Sequence, residues 1–174
     1  MKKTPFLLIV SALLIPFQLS LGQEVEKEVA FKTADGKYIS AAANSGLDLG
    51  GTKIASRQAF MLVDVNGGEL ADGDIVRITQ TAGAEGGGVK VKGWKLSGGE
   101  LKRGEKPADL TVKKSGEMWT FQMKGDKFVG LTSAGVLGPV DTAEAAVQVQ
   151  IVDAKGKSAK AAASPAGAAS PAAE

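Results

Sequence analysis

The chain has 174 residues, 44% of them hydrophobic, with 21 Lys+Arg against 19 Asp+Glu and neither cysteine nor histidine. Disulfides, thiolate nucleophiles, His-centred zinc sites and His-based catalytic triads are therefore excluded. Two of the basic residues, Lys2 and Lys3, belong to a leader, so the remainder balances at 19 of each sign and offers no concentrated basic surface for nucleic acid.

Residues 1–22 read as a secretory signal peptide. Lys2-Lys3 form a basic start, Phe6 to Phe17 an apolar core interrupted by Pro16, and Ser20-Leu21-Gly22 place small residues before Gln23. The apolar stretch is short for a spanning helix and no stop-transfer segment follows. The product is expected to be exported, periplasmic or extracellular, without stable membrane insertion once the leader is cleaved. No cysteine stands at the cleavage site to carry a lipid anchor. At the other end, residues 154–174 (AKGKSAKAAASPAGAASPAAE) lack any large apolar side chain and cannot offset their ordering entropy, so a disordered tail is expected. Lys155, Lys157 and Lys160 of that tail could meet an anionic surface, although a solubilising spacer is the plainer reading. Residues 23–153, about 130 in number, suit one domain with one core.

Within the domain, short alternating runs follow one another with turn residues between them. Val29 to Thr33, the Asp35-Gly36 turn and Lys37 to Ala41 predict a hairpin. Further strands are predicted over Gly46 to Leu49, Ala59 to Val63, Asp74 to Thr79, Val89 to Lys92, Trp94 to Leu96, Leu110 to Lys114, Met118 to Met123, Lys127 to Leu131 and Val147 to Val152. Thr79 to Ala84 supplies one more short candidate. No window carries a helical stripe, and only Thr142 to Ala146 would make a single turn. The expectation is all-β, about a dozen short strands. Inward alternation nominates Val29, Phe31, Tyr38, Ile39, Leu47, Leu49, Phe60, Leu62, Ile75, Val76, Ile78, Val91, Trp94, Leu96, Leu110, Val112, Trp119, Phe121, Phe128, Val147, Val149 and Ile151 for the core.

Parts of the chain repeat. Gly67-Gly68-Glu69-Leu70 returns as Gly98-Gly99-Glu100-Leu101, and Phe31 to Ile39 resembles Phe121 to Val129. Taking the two GGEL turns as the register starts units near Val29, Ile75 and Leu110, three units of about 40 residues with four strands each. That is the arithmetic of a β-trefoil, six strands closing a barrel and six forming hairpins over one end. The residues then reach a family: VAFKTADGKYISA followed by FMLVDVNGGELADGDIV resembles the fascin-like β-trefoils of exported bacterial proteins, and Ala84-Glu85-Gly86-Gly87-Gly88 resembles that family's turn. The likeness covers Val29 to Gly88. The second unit departs by lacking the expected Gly-x-Tyr before Ala84, and the third unit has drifted. Gln-x-Trp, the mark of ricin-type sugar-binding trefoils, is absent. The resemblance implies a recognition scaffold, and nothing here carries over the actin bundling of eukaryotic members.

Four motifs bear on chemistry. Leu47-Asp48-Leu49-Gly50-Gly51-Thr52-Lys53-Ile54 resembles the phosphate loop of repressor-type sugar kinases, but the length, the second domain and the catalytic aspartate of those enzymes have no counterpart. Asp64, Asn66, Asp72 and Asp74 place oxygen ligands around the first GGEL turn. Glu69 and Ile75 stand where a calcium loop needs glycine and glutamate, and Asn and Asp are ordinary turn residues. Gly86-Gly87-Gly88 could approach a phosphate but suits a tight turn. Trp94 and Trp119 could stack on a sugar face, although a tryptophan in an alternating strand belongs more often to the core.

Together these readings predict an exported, single-domain fascin-like β-trefoil without catalysis, metal or cofactor, and a monomer. Its expected work is recognition of a glycan or a protein surface through its loops, with Trp94, Trp119, Asp72 and Asp74 as candidate contacts. The alternative is a structural envelope protein, or an inhibitor acting through one protruding loop as trefoil protease inhibitors do. Thr52 to Ala59 or Gly99 to Asp109 would then protrude, with Lys102-Arg103 as the bait.

Overall fold

The computed structural model describes residues 24–83 and 89–155, with the side chains of 81–90 left aside. The leader, the Ala84 to Gly88 turn and nearly all of the predicted tail lie outside the described residues. Twelve strands follow in chain order: β1 Val25–Thr33, β2 Tyr38–Ala41, β3 Leu47–Gly51, β4 Phe60–Asp64, β5 Ile75–Gly83, β6 Val89–Ser97, β7 Glu100–Gly104, β8 Leu110–Ser115, β9 Met118–Met123, β10 Lys127–Leu131, β11 Leu137–Val140 and β12 Val149–Asp153. The described residues contain no helix, so the turn expected at Thr142 to Ala146 is bends and turns instead.

All twelve strands belong to one antiparallel sheet. Six of them close on themselves in the order β1, β4, β5, β8, β9, β12, and β12 returns to β1 with Val29 opposite Asp153 and Thr33 opposite Val149. The other six are β2–β3, β6–β7 and β10–β11, three hairpins appended to that barrel. Closure removes the exposed edges that an open sheet of this length would carry.

The all-β expectation stands, but the fascin-like β-trefoil with its three four-strand repeats is corrected to a closed six-strand barrel with extra strands. The two GGEL segments are not equivalent. The first lies in the long β4–β5 connection, whereas the second is the tight β6–β7 turn, with Glu100-Leu101 already inside β7. Pairing marks no unit start at Leu110 either, since β8 simply takes its place in the barrel between β5 and β9. Turn chemistry is local, and similar hairpins align with one another in any register. A repeated turn therefore carried no information about which strands close the barrel.

The core follows from strand alternation. Val29 and Phe31, Phe60 and Leu62, Val76 and Ile78, Leu110 and Val112, Trp119 and Phe121, and Val149 point inward from the six barrel strands. Four rings form the centre: Phe31, Phe60, Trp94 and Phe121 lie with centroids 5.3–5.8 Å apart, mostly tilted or edge-to-face. Ile39, Leu47, Leu101, Val129 and Leu137 extend the core from the hairpins. Three nominated core residues are corrected, since Ile75, Val91 and Leu96 are exposed. Ile75 alternates against the inward Val76 and Ile78, so both neighbours could not face the same side.

A second, smaller apolar patch sits outside the barrel wall, where Ala30, Ala59 and Ala154 are buried beside Tyr38, Ile54 and Val152. It anchors the Thr52 to Ala59 segment. Gln58 is buried and its amide donates to Ser40 Oγ, while Gln80 Nε2 donates to the carbonyls of Ser56 (2.7 Å) and Ala59 (3.1 Å). No helix of the described residues is long and apolar enough to cross a membrane.

Candidate functional site

The structure separates the two tryptophans. Trp94 is completely buried among the rings of the core and cannot touch a ligand, whereas Trp119 keeps 9% of its surface exposed. Trp119 is the second residue of β9, opposite Val149 of β12, and Lys114 on β8 holds its ammonium 5.1 Å from the ring centroid.

What Trp119 borders is the mouth of the barrel. β1 outruns its partner: residues 25–29 pair with β4, but β12 ends at Asp153 opposite Val29. One further bond, from Ala154 N–H to the Glu28 carbonyl at 3.1 Å, closes that side. The gap left beside β1 is a cleft of about 820 Å³. Trp119, Leu62, Leu70 and Ile151 supply its apolar wall, and Glu26, Lys27, Glu69, Asp153 and Lys155 are exposed around it. Lys155 is held back on the rim through its N–H bond to Asp153 Oδ1 at 2.7 Å. An apolar wall with charged side chains of both signs at its edge can hold and orient a polar ligand.

The remaining predicted contacts, Asp72 and Asp74, each accept a backbone hydrogen bond. Asp72 Oδ1 accepts the Lys114 N–H at 2.8 Å, tying the β4–β5 connection to β8, and Asp74 Oδ2 accepts the Ala71 N–H at 2.7 Å. Asn66 Oδ1 accepts the Ile75 N–H at 2.7 Å. Asp64 is 2% exposed and its Oδ1 accepts from Asn66 N–H and Gly67 N–H at 2.9 and 3.1 Å. These carboxylates serve the turn, as Asx chemistry does, and no acidic group of metal-binding size occurs among the described residues. The kinase-like segment is strand β3, paired to β2 and followed by no helix, so it presents no phosphate loop. Gly86-Gly87-Gly88 falls outside the described residues.

Of the candidate inhibitory segments, Gly99 to Asp109 begins as a strand and Thr52 to Ala59 packs on the barrel wall. Lys102 and Arg103 sit in β7, opposite Lys95 and Trp94 of β6, and Arg103 turns its guanidinium inward to Gln80 Oε1 (3.0 Å) and the Ala42 carbonyl (2.7 Å). Thr52 to Ala59 is pinned to the barrel wall as described. A second, more open depression of about 470 Å³ lies beside β10 and β11, around Leu131, Pro139 and Asp141, the last paired with Lys127.

No family model matches the chain. No curated protein matches it. Among solved structures it is similar to a Caenorhabditis elegans protein of unknown function, with a TM-score of 0.52 and 12% identity over 79% of this chain and 99% of that one. The comparisons give no support to the fascin-like assignment, and at 12% identity the likeness concerns the fold alone.

Proposed function

We propose that the chain is an exported, non-catalytic binding module that takes a carbohydrate at the mouth of its barrel. The observation that carries the reading is the cleft beside β1, where the edge of Trp119 meets Leu70 and Ile151 under a rim of Lys27, Glu69 and Asp153. Sugars present an apolar C–H face together with hydroxyls that both donate and accept. An aromatic edge backed by aliphatic groups, with carboxylates to accept and ammoniums to donate, matches both halves. The lack of Cys and His removes thiolate- and imidazole-based chemistry at the cleft. The leader read from residues 1–22 supports meeting such a ligand outside the cytoplasm.

The test is a glycan panel on the purified chain, followed by calorimetry with Lys27→Ala and Glu69→Ala. Both side chains are exposed, so neither change should move the melting temperature. Binding of one sugar class that weakens roughly tenfold, or about 1.4 kcal/mol, in either variant is the expected result. Absence of saturable binding, or binding indifferent to both variants and to Trp119→Phe, would overturn the reading.

A further inference from the structure

The chain has three arginines among its 21 basic residues, and they are used in two different ways. Arg77 is an ordinary surface cation, paired with Asp109 at 2.7 Å and Glu24 at 3.4 Å. Arg57 and Arg103 pair with no carboxylate among the described residues. Instead they converge on adjacent carbonyls at the end of β2: Arg57 Nε donates to Ala41 at 2.7 Å, and Arg103 Nη2 to Ala42 at 2.7 Å. Arg57 is exposed, while Arg103 behind it is half-buried. Arg103 Nε is enclosed and has no acceptor.

Two guanidiniums brought together without a counter-charge repel one another, and each carries about five N–H donors in a rigid fork. Their three hydrogen bonds to Ala41, Ala42 and Gln80 leave most of those donors uncommitted. Burial and the neighbouring positive charge of Arg57 hold the Arg103 guanidinium below its usual pKa, the direction expected of a cation lacking its anion. Part of this arrangement is structural, since Arg103 ties β7 to β5 and to the β2–β3 turn. Arg57 likewise ties its segment to β2 through Ala41, but its two terminal nitrogens make no hydrogen bond among the described residues.

We propose that Arg57 and Arg103 form a receptor for an oxyanion, a sulfate, phosphate or carboxylate group of a ligand, with Arg103 as the floor and Arg57 as the entrance. Arginine is the residue suited to it, because its planar fork grips two oxygens of such a group at once, which lysine cannot. The site is separate from the barrel mouth, to whose lining neither arginine belongs.

Calorimetric titration of the purified chain with sodium sulfate and with sodium galacturonate, at ionic strength matched with chloride, tests it. Arg57→Gln is the informative variant, since Arg57 is exposed and makes one hydrogen bond; its melting temperature in chloride should match that of the parent. Saturable binding of either anion, weakened roughly tenfold or more in Arg57→Gln and restored only partly in Arg57→Lys, is expected. Preference for sulfate would mark a tetrahedral group, and preference for galacturonate a carboxylate. No saturable binding of either anion, or equal affinity in Arg57→Gln, overturns the proposal.

Discussion

At the tip following β1, the Thr33 hydroxyl lies against the Asp35 carboxylate and accepts the Lys37 N–H at 3.1 Å, while Lys37 Nζ stands 3.2 Å from Asp35. The Thr33 contact first, then Lys37, hold the Asp35 carboxyl below its ordinary value of 3.8. A lowered folded-state pKa contributes stability that is present above the ordinary value and lost as pH falls through the lowered one, so this hairpin loosens only in acid. In Thr33→Val the Asp35 midpoint should move back up toward the ordinary carboxylate, readable by NMR titration; an unmoved midpoint would remove Thr33 as the cause. Trp94 makes a different point. Its Nε1–H is enclosed with no acceptor, so a group that costs about 1–3 kcal/mol when orphaned sits at the centre of the core. Trp94→Ala should cost about 3–5 kcal/mol by chemical denaturation, and Trp94→Phe less than half of that, because it keeps most of the ring contacts and deletes the orphan. Equal losses in the two variants would show that Nε1 is satisfied.

Strands were legible where turn residues punctuate the chain. Met118–Met123 and Lys127–Leu131 are read to the residue, because short apolar runs there are bounded by turn residues on both sides. β7 and β11 were not, for a reason visible in their composition. Lys102-Arg103-Gly104 and Gly138-Pro139 look like loop, yet Leu101 and Leu137 are fully buried and each strand is held by the hairpin partner beside it. The segments Val89 to Lys92 and Trp94 to Leu96 read as two strands because Gly93 interrupts them, whereas β6 runs through. Gly93 is there for packing: a Cβ at that position would stand 2.3 Å from Pro107 Cβ and 2.9 Å from its Cα, so the 105–109 connection crosses directly over the strand. Gly93→Ala should cost about 1–3 kcal/mol, seen as a lower urea midpoint at unchanged slope. An unshifted midpoint would mean that the connection moves aside freely.

On the scale of the whole molecule the decisive contact is β1 with β12, which joins residues at opposite ends of the described chain and turns a sheet into a barrel. A chain ending at Gln148 lacks the sixth barrel strand and leaves β1 and β9 with open edges. It should lose its cooperative urea transition and its near-UV tryptophan signal together, and retention of both would show that the barrel tolerates opening. The same closure builds the candidate cleft, since it is the offset between the ends of β1 and β12 that leaves the gap beside Trp119. For this reason Lys27, Glu69, Leu70, Asp153 and Lys155 carried no signal in the sequence: they become neighbours only when distant strands pair. Composition and period alone determined the all-β class, the positions of most strands and the absence of Cys- and His-based chemistry, because these depend on residue type and on neighbours a few places away. The pairing order, the fate of the two GGEL turns, the burial of Trp94 and the meeting of Arg57 with Arg103 were decided by the tertiary structure. Each of those is a contact between segments whose separation no local pattern encodes.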